Sequence, residues 1–238
     1  MQIYGINSVK EIFTKRRDLI KKVYLDKSKH FSFYQILKNA KINVLEFDFH
    51  YWRKKFPNVN NFQNIIAEID LPDKLTLDQL LKKIENKQKS ILLFLDRIQD
   101  PQNLGAIIRN AAAFNVDGIL ITKDNSAKIT NTAIKASAGG WLDVDIVMIS
   151  SAANVIKKLK NNNFWVVSTI LKGKYQPQEL KKLNQNLVLI FGNESKGIRL
   201  SLINSSDYTS KININPKVES LNVATSVGIF LYALTSDN

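Results

Sequence analysis

At 238 residues, 45% of them hydrophobic, the chain can bury one large core or two modest ones, and its apolar runs, Ile91–Leu95 and Leu187–Phe191 among them, fall far short of the roughly 18 residues a membrane span needs. Zero cysteines exclude disulfides, thiolate zinc sites and cysteine nucleophiles, and two histidines, His30 and His50, leave too little for a metal centre or a histidine-based triad, so no metal is expected. Lys and Arg outnumber Asp and Glu by 34 to 21, a net charge of +13 that suits a polyanionic partner, although 28 of the 34 are lysine and the Asn- and Ile-rich composition reads equally as codon bias.

The first residues, MQIYGINSVKEIFTKRR, hold no apolar signal core, so the expected compartment is the cytoplasm, with no membrane partner. Ser8, with Glu11 three residues on, reads as a capping box opening a helix over Val9–Lys15. A strand at Lys22–Leu25, a helix at Phe33–Asn39 and strands near Val44–Phe47 and Ile65–Ile69 complete a small alternating unit over residues 1–71. Residues 1–90 carry 18 basic and 10 acidic side chains, against 16 and 11 in 91–238, so the early part is the more basic per residue. Arg16, Arg17, Lys21, Lys22 and the run Tyr51-Trp52-Arg53-Lys54-Lys55-Phe56 combine phosphate-pairing charge with rings that can stack on bases. A solvated face with its rings tucked inward explains the same run equally well.

Leu71-Pro72-Asp73 breaks the pattern, and Thr76 with Gln79 caps a helix, Leu77–Glu85, that runs into the polar stretch Asn86–Ser90; residues 72–90 read as a linker. From there short apolar strands alternate with helices: Ile91–Leu95, helix 104–115, Gly118–Thr122, helix 130–137, Val144–Met148, helix 152–160, Trp165–Thr169, Leu187–Phe191, Lys211–Ile214 and helix 221–235. That alternation predicts an α/β domain over 91–238 with a mostly parallel sheet.

Such sheets bind ligands where strands hand over to helices. No G-x-G-x-x-G follows a strand, and Gly192 to Gly197 has the glycine spacing of a phosphate loop but Ile198-Arg199 where Lys-Ser/Thr is required, which excludes a P-loop nucleotidase. Three other junctions carry polar groups. Asp96-x-x-x-Asp100-Pro101-x-Asn103-x-Gly105-x-x-x-Arg109 places a turn at Pro101, Asn103 just ahead of a helix, and Arg109 between Ala106 and Ala113, which leave its guanidinium open to another chain or a substrate. A helix cap at Asn103 and a surface ion pair at Arg109 would be the plainer account. Gly192-Asn193-Glu194-x-x-Gly197 follows a buried strand with two glycines that allow close backbone approach and a glutamate at the strand's end. In Ser220-Leu221-Asn222-Val-Ala, Ser220 resembles a helix cap, and a cap leaves Asn222 unexplained.

Together these three segments resemble the SpoU (TrmH) family of RNA ribose 2′-O-methyltransferases over about 90–238, and Ile3 to Val9 with Lys22–Leu25 resembles the L30e-like substrate-binding domain of its rRNA-modifying subgroup. The resemblance implies a deep trefoil knot in the second domain, a homodimer with its sites at the interface, S-adenosylmethionine as cofactor, and a guanosine of 23S rRNA as target. By motif it implies Asn103, Arg109, Glu194, Ser220 and Asn222 as the catalytic or substrate-facing set, with Thr169, Gly192, Ile212 and Leu221 on the cofactor. The chain departs from the family pattern at Ile212-Asn213-Ile214-Asn215-Pro216, at Ala224, and at Asn61-Phe62-Gln63-Asn64. A tRNA 2′-O-methyltransferase, and a catalytically silent RNA-binding or ribosome-assembly protein on the same fold, are the alternatives.

Overall fold

The computed structural model describes residues 1–57, 62–72 and 75–236, so Asn61 of the Asn61–Asn64 departure and Asp73 of the Leu71–Asp73 break lie outside the described residues. The chain forms two units, Met1–Asp73 and Lys74–Asn238.

The first unit runs β1 (Gln2–Tyr4), α1 (Ile6–Lys15), β2 (Ile20–Leu25), α2 (Phe31–Asn39), β3 (Val44–Glu46), α3 (Phe49–Lys55) and β4 (Ile65–Ile69). Its sheet has the order β1-β4-β2-β3, with β4 antiparallel to both neighbours and β3 parallel to β2. Helix α1 starts earlier than Ser8 predicts: Gly5, at φ 98°, turns the chain into it without a side-chain cap, and Gln63 Oε1 accepts the Ile6 N–H instead. The aromatic and basic run forms α3, capped by Asp48, and the structure divides its rings. Trp52 is only 1% exposed and stacks on Phe56 at 6.0 Å, while Tyr51 is 55% exposed. Lys55 Nζ lies 4.9 Å from the Trp52 ring centroid and 5.7 Å from that of Tyr51, so one face of the run is core and the other is charge beside an open ring.

The second unit runs α4 (Leu77–Ile84), β5 (Ile91–Asp96), α5 (Pro101–Ala113), β6 (Gly118–Thr122), α6 (Asn131–Ser137), β7 (Ile146–Ile149), α7 (Ala152–Asn161), β8 (Phe164–Thr169), α8 (Pro177–Lys181), β9 (Asn186–Gly192), α9 (Leu200–Asn204), β10 (Tyr208–Ser210) and α10 (Val223–Thr235). Its six strands lie in the order β10-β8-β9-β5-β6-β7, and every neighbouring pair is parallel. Strands β5, β6 and β9 read as unbroken apolar runs because both faces of the sheet are covered. Leu80, Leu81 and Ile84 of α4 and Val155, Ile156 and Leu159 of α7 pack with Leu92, Phe94, Val188 and Ile190. On the other face Phe230 of α10 meets Phe191 edge-on at 5.6 Å.

Helix α4 corrects the linker reading of 72–90. The capping box of Thr76 and Gln79 is present, but the helix it opens is amphipathic and its apolar stripe is part of the second core. Gly118 leaves room for that seat, since a Cβ there would come within 2.7 Å of Leu80. The last strand is Tyr208–Ser210 rather than Lys211–Ile214. Asp207 fixes its start by accepting the Val166 N–H at 2.8 Å, and the 211–222 segment then leaves the sheet and returns to α10, which packs on α5, α8 and β9.

Candidate active site

Strand β5 feeds rightward to β6 and β7, whereas β9 leads back to the opposite edge at β10, so the connections leaving these two neighbours diverge. Divergence at adjacent strands opens a crevice at their carboxyl ends. The final pair of the β5–β9 ladder, Asp96 opposite Gly192, marks the place. A cavity of about 830 Å³ lies there, walled by Thr169 to Leu171, by Gly192 to Ile198, and by the returning segment around Ile212 and Glu219 to Val223, with Asn103 reaching in from α5.

The polar side chains over the cavity form one hydrogen-bonded line. Asn222 Oδ1 accepts the N–H groups of Ala224 at 2.9 Å and Thr225 at 3.3 Å, which makes Asn222, and not Ser220, the cap of α10. Its Nδ2 then has to face outward and donates to Asn103 Oδ1 at 2.9 Å, and Asn103 Nδ2 in turn donates to Glu194 Oε1 at 3.0 Å. One anchored end thus fixes both amide orientations along the line. Asn103 is not a cap either: Asp100 accepts the N–H groups of Gln102 and Asn103, and Pro101 is the first helical residue rather than a turn. Removing the cap with Asn222→Ala should lower stability by about 1 kcal/mol in chemical denaturation, whereas Asn222→Ser, which keeps a capping oxygen without setting a second carboxylate against Asn103, should recover most of that loss.

The β9 loop is held on its inside by Asn193, which is 7% exposed. Its Oδ1 accepts from Ser195 N and Lys196 N at 3.0 Å each, its Nδ2 donates to the Arg97 carbonyl at 2.9 Å, and Gly197 N closes on its carbonyl at 2.8 Å. Asn193 sits inside the G-N-E-x-x-G motif and was missed as a functional position, because an Asx turn is local geometry that only a structure resolves into a loop brace. Gly192 has no space for a side chain: a Cβ would stand 2.3 Å from both Gly197 C and Ile198 N.

Of the nine residues that sequence motifs single out, Asn103, Thr169, Gly192, Glu194, Ile212, Ser220, Leu221 and Asn222 line this cavity. Thr169 spends its hydroxyl proton on the Ile190 carbonyl at 2.7 Å, so only the oxygen's acceptor side is open to a ligand. Ser220 is exposed on the rim. Arg109 is the exception. Six residues past Asn103, it lies about 120° further round α5, exposed, away from the cavity lining, and with no hydrogen bond or ion pair to the described residues. Gly140 packs beneath it so closely that a Cβ would meet the Arg109 Cα at 3.2 Å. Among the described residues no group of three His, Cys, Asp or Glu side chains could hold a metal ion.

A parallel α/β sheet with a ligand-sized crevice at its switch point, lined by amides, charged side chains and apolar ones and lacking a phosphate loop, defines a binding domain for a small polar molecule. The model of the SpoU rRNA Methylase family matches residues 90–232, and the chain belongs to that family. An uncharacterized tRNA/rRNA methyltransferase of Mycoplasma genitalium is 35% identical over 86% of this chain and 85% of its own length. The 23S rRNA (guanosine-2′-O-)-methyltransferase of Haemophilus influenzae is 29% identical over 98% of this chain and 96% of its own. The crystal structure of the SpoU methyltransferase AviRb from Streptomyces viridochromogenes in complex with AdoMet shares the fold, with a TM-score of 0.81 at 18% identity over 99% of this chain and 89% of that one.

Proposed function

We propose that the chain is an S-adenosylmethionine-dependent ribose 2′-O-methyltransferase acting on a guanosine of 23S rRNA. The observation that carries the reading is the line Asn222–Asn103–Glu194, which joins all three family motifs over one cavity. Support for the substrate comes from the Haemophilus influenzae relative, whose match extends through the first unit as well as the second. That unit is the substrate-binding, L30e-like domain of the proposal, with Tyr51 exposed beside Lys55 as a stacking ring next to a cation. The cytoplasm is the compartment this substrate implies.

The cavity fits the cofactor. About 830 Å³ lies within the range of small-molecule sites, its lining mixes Phe191, Ile212 and Leu221 with the tight Gly192–Gly197 turn, and the carboxylate of Glu194 complements a cation. Bound there, S-adenosylmethionine supplies a methyl group activated by its sulfonium. The protein's part is to place a ribose hydroxyl in line with it and to manage the hydroxyl proton. Placement is worth about 7–11 kcal/mol and general-base help typically about 10²–10⁴-fold, so positioning carries more of the acceleration. Arg109 orients the 2′-oxygen and its neighbouring phosphate through its planar fork of donors, and Glu194 holds the guanidinium by a charge-assisted pair.

In this reading the pair forms across a homodimer, a placement supported by Arg109 lying outside its own cavity. The apolar face that would bury it is present: Ile229 and Tyr232, 37% and 64% exposed, stand on one side of α10, with the Phe114 ring of α5 set against Tyr232 at 6.4 Å. The trefoil knot in the second unit belongs to the same proposal.

The test is incubation with isotopically labelled S-adenosylmethionine and unmodified 23S rRNA, 16S rRNA and tRNA in separate reactions, followed by nucleoside mass spectrometry. The expected product is 2′-O-methylguanosine from 23S rRNA alone. Label confined to tRNA would replace the substrate, and label in none, with the cofactor bound, would indicate the silent RNA-binding protein.

A further inference from the structure

Asp96 is the most buried carboxylate of the second unit, 0% exposed at the last position of β5, and the mechanism above gives it no task. A buried charge needs full compensation. Its shortest contacts are all with Arg199: Asp96 Oδ2 accepts the Arg199 backbone N–H at 3.0 Å, and Oδ1 takes the same residue's Nε at 2.9 Å and a guanidinium nitrogen at 2.7 Å, while the neighbouring Arg97 guanidinium stands farther off at 3.5 Å. Arg199 is the residue at which the β9 loop ends and α9 begins. The other end of the loop is held from the adjacent residue of β5's exit, since Asn193 donates to the Arg97 carbonyl. Arg97 accepts φ 61°, a left-handed conformation unfavourable for a side chain of its type, and its N–H is fixed by Thr122 Oγ1 at 3.1 Å.

Both ends of the loop that carries Glu194 are therefore fastened to two consecutive residues at the end of β5. Four residues after Asp96, Asp100 caps the helix that carries Asn103. We propose that Asp96 is a positioning residue for the methyl transfer: by clasping Arg199 it fixes the span of the Gly192–Gly197 loop and so holds the Glu194 carboxylate at hydrogen-bond distance from Asn103. The two aspartates of one motif then set the two sides of a single contact, Asp100 the amide side and Asp96 the carboxylate side. Glu194 itself is exposed, and its hydrogen bond to Asn103 spans two separate elements, so its placement depends on how each is anchored.

This inference rests on the proposed methyl transfer, and its test separates the two. Hydrogen exchange on the protein alone comes first: Asp96→Asn should speed exchange of the Ser195, Lys196 and Gly197 amides at least tenfold while the β5 and β6 amides keep wild-type protection. Unchanged loop exchange would overturn the clasp whether or not the protein is an enzyme. Second, turnover on 23S rRNA is measured for Asp96→Asn, Glu194→Gln and the double variant. A residue that works through Glu194 gives a double variant no more than about threefold below Glu194→Gln, because coupled sites are not additive. Losses that multiply would overturn the positioning role and leave a purely structural one. Arg199→Lys, which retains a charge and the backbone N–H but cannot set two fixed guanidinium donors on Asp96 Oδ1, repeats both measurements should Asp96→Asn fail to fold, and the same pattern is expected. Wild-type protein that transfers no methyl group would refute the enzymatic reading and, with it, the second arm.

Discussion

Arg109→Ala is expected to lower turnover on 23S rRNA by about 10²–10³-fold, the loss seen when one preorganised donor is removed from a reacting centre, while the dissociation constant for S-adenosylmethionine changes less than about twofold. The asymmetry follows from geometry. Arg109 lies outside the cavity lining on the solvent side of α5, whereas Asn103, on the same helix, points into it. If Arg109 completes the site of the other protomer, two inactive proteins should rescue each other. Mixing Arg109→Ala with Glu194→Ala and allowing exchange gives, at random assortment, half heterodimers, each with one site carrying both defects and one carrying neither. About a quarter of the sites regain the full set, so about a quarter of wild-type activity should return. Failure to recover activity in demonstrably mixed dimers would place Arg109 in its own protomer's site or remove it from the chemistry. Equal losses in turnover and cofactor affinity for the single variant would contradict an orienting role.

The order of strands and helices in the second unit was legible because its strands are covered on both faces and read as short apolar runs, and because Thr76 with Gln79 announces the helix that precedes them. What eluded the sequence was any feature set by distant partners. Ser8 and Ser220 have the right chemistry for caps, yet Gly5 and Asn222 start those helices, since the neighbouring loops decide where the chain turns. Helix α4 looked like a tether because its polar flank hides an apolar stripe that only a facing sheet explains. At the site, motifs located eight cavity residues, but spacing along a chain cannot report that Asn103 and Glu194, 91 residues apart, share a hydrogen bond. Nor can it report that Arg109, six residues from Asn103, faces elsewhere. Asp96 was visible as a motif letter, and its meaning emerged only with Arg199, 103 residues away, in place.

Gly192→Ala should weaken cofactor binding more than any change to a side chain that lines the cavity. The floor of the proposed cofactor site is the turn in which Gly192 lies against the backbone of Gly197 and Ile198, and an added Cβ would sit 2.3 Å from atoms of each. Those atoms are backbone and cannot rotate aside, so the loop has to open, carrying Asn193 off the Arg97 carbonyl and Glu194 off Asn103. Overpacking of this kind costs about 1–3 kcal/mol in stability, less than the cooperative fold as a whole, so the variant should fold with a lowered melting temperature. Its affinity for S-adenosylmethionine by calorimetry should fall by about 10²-fold, the equivalent of about 2.7 kcal/mol. Gly197→Ala separates space from conformation: nothing lies within 4 Å of its Cβ position, but φ is +67°. A non-glycine residue there pays about 1–2 kcal/mol of backbone strain without forcing the loop apart, so stability should drop comparably while cofactor affinity falls no more than about tenfold. Equal affinity losses in the two variants would mean that the loop's backbone conformation, and not its closeness to Gly192, forms the binding surface. Wild-type affinity in Gly192→Ala would move the cofactor away from the β9 loop altogether.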